Sequence, residues 1–165
     1  MMATVFISLG SNIGDPPRII RHAMERLQEF SASPLLKSSL WKTTPLDCPP
    51  GSPAFVNAAV GLSPQADETP ESLLTRLQAL EKEFGRPPKK ILNEPRPLDL
   101  DLIVFGNETR KSSSLILPHP RAHERRFVLQ AVAEIAPGLI FPGQTQTVAE
   151  LLDGLPPDEL MKRLS

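Results

Sequence analysis

The chain holds one cysteine, Cys48, in 165 residues, so no internal disulfide can staple it, which suits a reducing compartment. It has no tyrosine and only 5% aromatic residues, a poor basis for a sheet that reads RNA by stacking bases. The formal net charge of -1 supplies no global basic field, which argues against nucleic acid and anionic membrane surfaces as partners. No apolar run approaches the length needed to span a bilayer. Met1-Met2 lead straight into a strand-like run with no basic leader, and the expectation is a cytoplasmic protein. GxxxxGK[ST], HExxH and paired cysteines are all missing, so neither a P-loop nor a zinc site is indicated.

Proline is the excess. Nineteen residues are about twice the usual ~5% share, and they gather at 45–53, 87–97 and 118–120, between periodic segments. Proline stiffens loops there, and long stiffened loops inside a compact domain tend to carry function.

The rest of the chain is periodic. Residues 3–9 read as a strand with Val5 and Ile7 on one face, followed by the turn GSNIGD at 10–15. Asp15 and two prolines then open a helix whose stripe is Ile20, Ala23, Leu27 and Phe30. Strands are expected at 35–43, 54–62 and 97–107. Thr69 as N-cap, Pro70 at the first turn and Gly85 as stop bound a helix with Leu73, Leu77, Leu80 and Phe84 along its stripe. On its neighbouring face Gln78 and Glu81 are spaced to point toward one ligand. A further helix is expected near 125–135, and two short ones at 147–163, split by Pro156-Pro157. The order strand–helix–strand–strand–helix–strand predicts one α+β domain over 1–165, a ferredoxin-like βαββαβ sandwich with an antiparallel sheet and extra C-terminal helices.

Asp99-Leu100-Asp101 is the strongest chemical signal. Two apart on a strand, the carboxylates share a face, with Leu98, Leu100, Leu102 and Val104 on the other. At roughly 6 Å they repel by about 3 kcal/mol at an effective dielectric near 20. Magnesium resolves such a conflict, since it takes one or two carboxylates plus substrate phosphates. Two surface aspartates at a strand end would read the same way. Cations flank the pair: Arg86, Lys89, Lys90 and Arg96 before it, and His119, Arg121, His123, Arg125 and Arg126 after it. Such groups stabilise charge on a phosphoryl group in transfer, although any single arginine could be an ordinary solvated one.

GSNIGD at 10–15, FVNAAV at 55–60, LEKEFGR at 80–86, PRPLDLDLIVFGN at 95–107 and PHPRAHERRFVL at 118–129 together resemble the 6-hydroxymethyl-7,8-dihydropterin pyrophosphokinase family, in the family's order. The resemblance implies transfer of the pyrophosphoryl group of ATP to the hydroxymethyl group of the pterin, releasing AMP, in folate biosynthesis. It makes Asp99 and Asp101 the holders of two Mg2+ ions, and Arg96, His119 and Arg125 the catalytic phosphate contacts. Gln78, Glu81, Arg86 and Leu102 join these at the ATP site. Thr43, Thr44, Pro45, Leu46, Phe55, Asn57 and Phe127 match the pterin site, with the two phenylalanines stacking on the ring. The partners implied are these two small molecules, with the chain acting as a monomer. The chain departs from the family at Asn93-Glu94-Pro95-Arg96, where many members carry Trp-Gly-Pro-Arg, and at Pro88, which replaces a loop arginine with Lys89 beside it. No residue stands out as a general base. A different two-aspartate phosphoryl or nucleotidyl transferase, or a non-catalytic ferredoxin-like ligand-binding module, is the alternative.

Overall fold

The computed structural model describes residues 3–43, 54–85, 97–157 and 161–164. Strand β1 (Val5–Ser11) runs two residues further than expected, taking Gly10 and Ser11 of the glycine turn into the sheet. Helix α1 (Pro16–Leu27) starts where the Asp15 side chain accepts the Arg18 N–H at 3.4 Å, and a 3-10 turn at Gln28–Phe30 brings Phe30 onto the buried stripe. The strand expected at 35–43 is two short ones, β2 (Leu36–Lys37) and β3 (Leu40–Thr43). It breaks where the Ser38 hydroxyl bonds the Ser39 carbonyl and accepts the Ala59 N–H. Strand β4 (Phe55–Leu62) leads to α2 (Pro70–Glu83), whose Thr69–Ser72 capping box and Gly85 stop (φ +84°) match the sequence signals. Strand β5 (Asp99–Phe105) carries the aspartates, and a hairpin of β6 (Arg110–Lys111) and β7 (Ile116–Leu117) follows. Helices α3 (Arg126–Ile135) and α4 (Val148–Asp153) come next.

All pairings in the main sheet are antiparallel, in the order β5-β1-β4-β3 and then β8 (Lys162–Leu164), with β2 also on β4. Taking β2 and β3 as one interrupted strand, the first four stand in the order 4-1-3-2, which is the ferredoxin-like arrangement. Helices α1 and α2 cover one face over Val5, Ile7, Leu9, Val60 and Leu100; α3 and α4 cover part of the other over Phe6, Ala59 and Ile103. The second of the two helices expected at 147–163 is a strand instead: β8 (Lys162–Leu164) pairs with β3 through Leu40–Leu164 and Lys42–Lys162. A short segment after a Pro-Pro pair nucleates a helix poorly, and the open edge of β3 gives the backbone groups of Lys162–Leu164 partners.

A second departure lies inside β5. Ile7 pairs with Leu102 and Phe6 with Val104, leaving Ile103 as an extra residue, a β-bulge. Alternation therefore slips: Leu98, Leu100, Leu102 and Phe105 enter the core under α1 and α2, while Ile103 and Val104 enter the other. Val104 does not share the leucine face. The bulge also leaves the Ile103 carbonyl pointing outward, where it accepts the His119 N–H at 2.8 Å.

Close packing between the layers leaves little slack at Gly61, where a Cβ would meet the Phe6 ring at 2.9 Å and the Ala3 Cβ at 3.3 Å. We expect Gly61→Ala to lower stability by about 1–3 kcal/mol in urea titration, the usual cost of overpacking. Unchanged stability would mean that the Phe6 ring moves aside freely.

Candidate active site

Asp99 and Asp101 lie on the β5 face turned away from α1 and α2, both half-buried, while Leu98, Leu100 and Leu102 anchor the strand in the core. The peptide between them is fixed from α2: the buried Glu81 carboxylate accepts the Leu100 N–H at 2.8 Å. A hydrogen bond to a charged acceptor of this kind contributes about 1.5–3 kcal/mol. Glu81 thus stands beside the aspartates as a strand anchor. Gln78, three residues before it on α2, is exposed, so the border of the buried stripe passes between the two.

His119 reaches the same place from the segment after β7. Its backbone is held by Ile103, and its Nδ1 accepts the Arg121 N–H at 3.3 Å, so in the neutral ring the proton sits on Nε2. Burial pushes its pKa below the ordinary value, the Arg125 guanidinium adds to that, Asp99 opposes it, and Arg121 lowers it further. The result is a neutral imidazole that donates Nε2–H. Arg125 caps α3, with its guanidinium carbon 5.8 Å from the centre of the Phe127 ring. The other arginines here serve structure: Arg121 pairs with Glu124 at 3.2 Å and Arg126 donates to the Pro156 carbonyl at 3.1 Å.

Asp101 and His119 wall one end of an open pocket of about 260 Å³, closed elsewhere by Leu74 of α2, Leu102, and Ser114 to Ile116 of the β6–β7 hairpin. The hairpin is tied to α2 by Arg110, which donates to Glu71 at 2.7 and 3.4 Å and to Glu108 at 2.8 Å. Sequence reasoning missed Leu74 and the hairpin. Its only written trace was the serine run Ser112-Ser113-Ser114 between two apolar segments.

Asp99 borders a different space. Asp99, Gly10 and Asn57 form one row across β5, β1 and β4. A Cβ on Gly10 would sit 3.1 Å from Asn57 Oδ1 and 3.9 Å from the Phe55 ring, so glycine leaves a bare backbone floor between the amide and the carboxylate. Phe55 shares this face of β4, two residues from Asn57. Asn57 Nδ2 donates to Thr43 Oγ1 at 2.8 Å, and both residues are buried. Phe127 comes to the same side of the sheet on α3, half-buried at the margin of the second core. The sheet thus gathers Asp99, Asp101, Glu81, Leu102, His119, Arg125, Thr43, Phe55, Asn57 and Phe127 at one end. Thr44, Pro45, Leu46, Arg86 and Arg96 lie outside the described residues, as do the proline-rich stretches 44–53 and 86–96.

A family model described as 7,8-dihydro-6-hydroxymethylpterin-pyrophosphokinase matches residues 6–137. The chain belongs to this pyrophosphokinase family. Among its relatives, the 2-amino-4-hydroxy-6-hydroxymethyldihydropteridine pyrophosphokinase of Haemophilus influenzae is 34% identical over 162 residues, covering 98% of each chain. The Bacillus subtilis protein of the same name is 38% identical over 131 residues, 79% of this chain and 76% of that one. The chain spans only 20% of a longer relative, the folic acid synthesis protein fol1 of Pneumocystis carinii, at 38% identity over 90% of its own length. Among solved structures, the Plasmodium falciparum HPPK-DHPS with pteroate superposes with a TM-score of 0.69, over 90% of this chain and 41% of that one. At 13% identity that likeness speaks for the fold alone.

In this pyrophosphokinase-family site the histidine gives a pH signature. With its folded pKa lowered, the neutral ring's contribution to stability is complete above about pH 6.5, the unfolded value, and is lost as pH falls through the folded value. The His119 ring resonance should titrate below pH 6.5 in the free protein, and His119→Asn should reduce the loss of stability between pH 7.5 and 5. Titration at or above 6.5 would contradict the desolvated environment described here.

Proposed function

We propose that the chain transfers the pyrophosphoryl group of ATP to 6-hydroxymethyl-7,8-dihydropterin, giving the pterin diphosphate and AMP, in folate biosynthesis. One observation carries the reading beyond family membership: the two aspartates divide two ligand spaces. Asp101 lines the pocket with apolar walls and serine hydroxyls, suited to a nucleotide whose phosphates point toward His119. Asp99 ends the Gly10–Asn57 row, a flat floor with an amide and an aromatic neighbour, suited to a planar heterocycle. The reacting groups of both substrates would meet at the carboxylate pair.

The donor set fits magnesium. Asp99 and Asp101 offer only hard oxygen ligands, the donor type that magnesium takes together with substrate phosphates. Two Mg2+ ions belong to this proposal; when bound they supply neutralisation of the phosphate oxygens. The protein's own groups do the remaining work. Phe55 and Phe127 stack on the pterin, and Asn57, held by Thr43, hydrogen-bonds its edge. His119 Nε2–H and Arg125 take up charge on the phosphates. Glu81 keeps β5 from shifting under the aspartates. The pterin hydroxyl oxygen attacks the β-phosphorus and releases its proton to solvent, the bond to the α,β-bridging oxygen breaks, and AMP leaves with that electron pair. By resemblance, Arg86 and Arg96 join the phosphate contacts, and Thr44, Pro45 and Leu46 the pterin contacts. The chain is proposed to act as a monomer in the cytoplasm, where ATP is supplied. None of the described helices is long and apolar enough to cross a membrane.

Incubation with magnesium, ATP and the reduced pterin should yield pterin-dependent AMP, abolished by chelation. ADP as product would make the chain an ordinary kinase, and no turnover at all would favour a binding module. Asp101→Ala should lower kcat by roughly 100-fold or more; turnover at the native rate would remove the aspartates from the mechanism. Gly10→Ala puts a methyl group into the slot floor and should raise KM for the pterin by roughly 5- to 150-fold, the equivalent of about 1–3 kcal/mol of overpacking. Its KM for ATP should stay near the native value, and a parallel rise in both would argue against separate spaces.

A further inference from the structure

Glu134 sits in the last turn of α3, outside both ligand spaces, and is exposed. Its carboxylate nevertheless gathers three donors from the sheet. Trp41 Nε1 donates to Oε1 at 2.6 Å, and the Ser39 N–H and hydroxyl donate to Oε2 at 3.1 and 2.8 Å. These bonds connect parts of the chain more than 90 residues apart, with sequence separations of 93 and 95. Nothing in the reaction described above uses them.

Their geometry leads back to the slot from both sides. On a helix, positions seven apart fall two turns along with an offset of about 20°, so Phe127 and Glu134 share one face of α3. On β3, Trp41 and Thr43 are two apart and share a face; Trp41 stands opposite Asn57 and Thr43 opposite Phe55. The carboxylate therefore joins the helix that carries one aromatic wall to the strand that supports the other. Between α3 and the sheet, the other contacts among the described residues are the apolar ones over Phe6, Ala59 and Val104. Such burial holds a helix down without fixing its rotation, because hydrophobic contact is non-directional. Hydrogen bonds to an indole and a backbone N–H are directional, and they supply what the apolar contact lacks.

We propose that Glu134 is a positioning residue for the pterin slot: through Ser39 and Trp41 it fixes the rotation of α3 and hence the distance of Phe127 from the Phe55–Asn57 strand. The inference rests on the reading of that slot as the pterin site. Trp41 is the single tryptophan of the chain, so the protein carries its own reporter beside the clamp.

The test uses the full chain as wild type, Glu134→Ala and Glu134→Gln. Trp41 emission is followed during titration with 6-hydroxymethyl-7,8-dihydropterin, and KM is measured for each substrate. In the wild type the pterin should quench Trp41. Glu134→Ala should shift the emission and raise KM for the pterin roughly tenfold or more, with KM for ATP changed less than about twofold. Glu134→Gln should lie between, since its amide oxygen still accepts from Trp41 while its NH2 faces the Ser39 N–H. Equal pterin KM in wild type and Glu134→Ala overturns the proposal, and so does an equal rise in both KM values, which marks general loosening. If Glu134→Ala does not fold, the same pair of KM values in Glu134→Gln decides. A wild type that neither binds nor turns over the pterin overturns the functional reading itself; tight pterin binding by every variant overturns the positioning role alone.

Discussion

Two like charges on one face of a strand otherwise made of Leu, Ile, Val and Phe are the constraint around which this protein is arranged. Neither aspartate can swing away, because Leu98, Leu100 and Leu102 are buried and Glu81 holds the intervening N–H from α2. Two ionised carboxylates held this close repel, and nearby positive charge offsets that repulsion. Its neighbours follow from that need. His119 and Arg125 arrive from the segment after the hairpin, and both aspartates are half-buried beside them.

The position of His119 depends in turn on an irregularity in the same strand. A regular β5 would keep Ile103 in register with β1; the bulge leaves its carbonyl to hold the histidine backbone. Bulges near active sites commonly re-aim a side chain, and this one also divides β5 between two cores. Leu100, Leu102 and Phe105 answer to α1 and α2, and Ile103 and Val104 to α3.

Much of this was written locally in the sequence. The capping residues Asp15 and Thr69, the stop at Gly85 and the leucine stripes gave α1 and α2, because helix signals act within a few residues. The strand order followed from the alternation of elements. The aspartate pair was legible because carboxylates at period two stand out against an apolar run, and ordered motifs supplied its companions. What remained hidden was decided by distant partners. Ile103 lies inside the unbroken apolar run of residues 102–105, with no glycine or proline within it to mark a bulge. Residues 162–164 become a strand only because β3 offers an edge. The role of Glu81 is set by an N–H 19 positions away, and that of Glu134 by an indole 93 positions away. Gly10 looked like part of a turn, although its place in the sheet interior is what leaves the slot floor bare.

The pairing of β8 with β3 bears on how the chain behaves before folding is complete. Without β8, β3 would be a terminal strand carrying Leu40 and Trp41, with a row of unpaired backbone groups able to template a second chain. With β8 in place the sheet ends on three residues that include Lys162 and Arg163, a short charged border that disfavours edge-to-edge addition. Until β8 docks, the β3 edge stays open to pairing with another chain, so the order in which these two strands meet decides how long that hazard lasts.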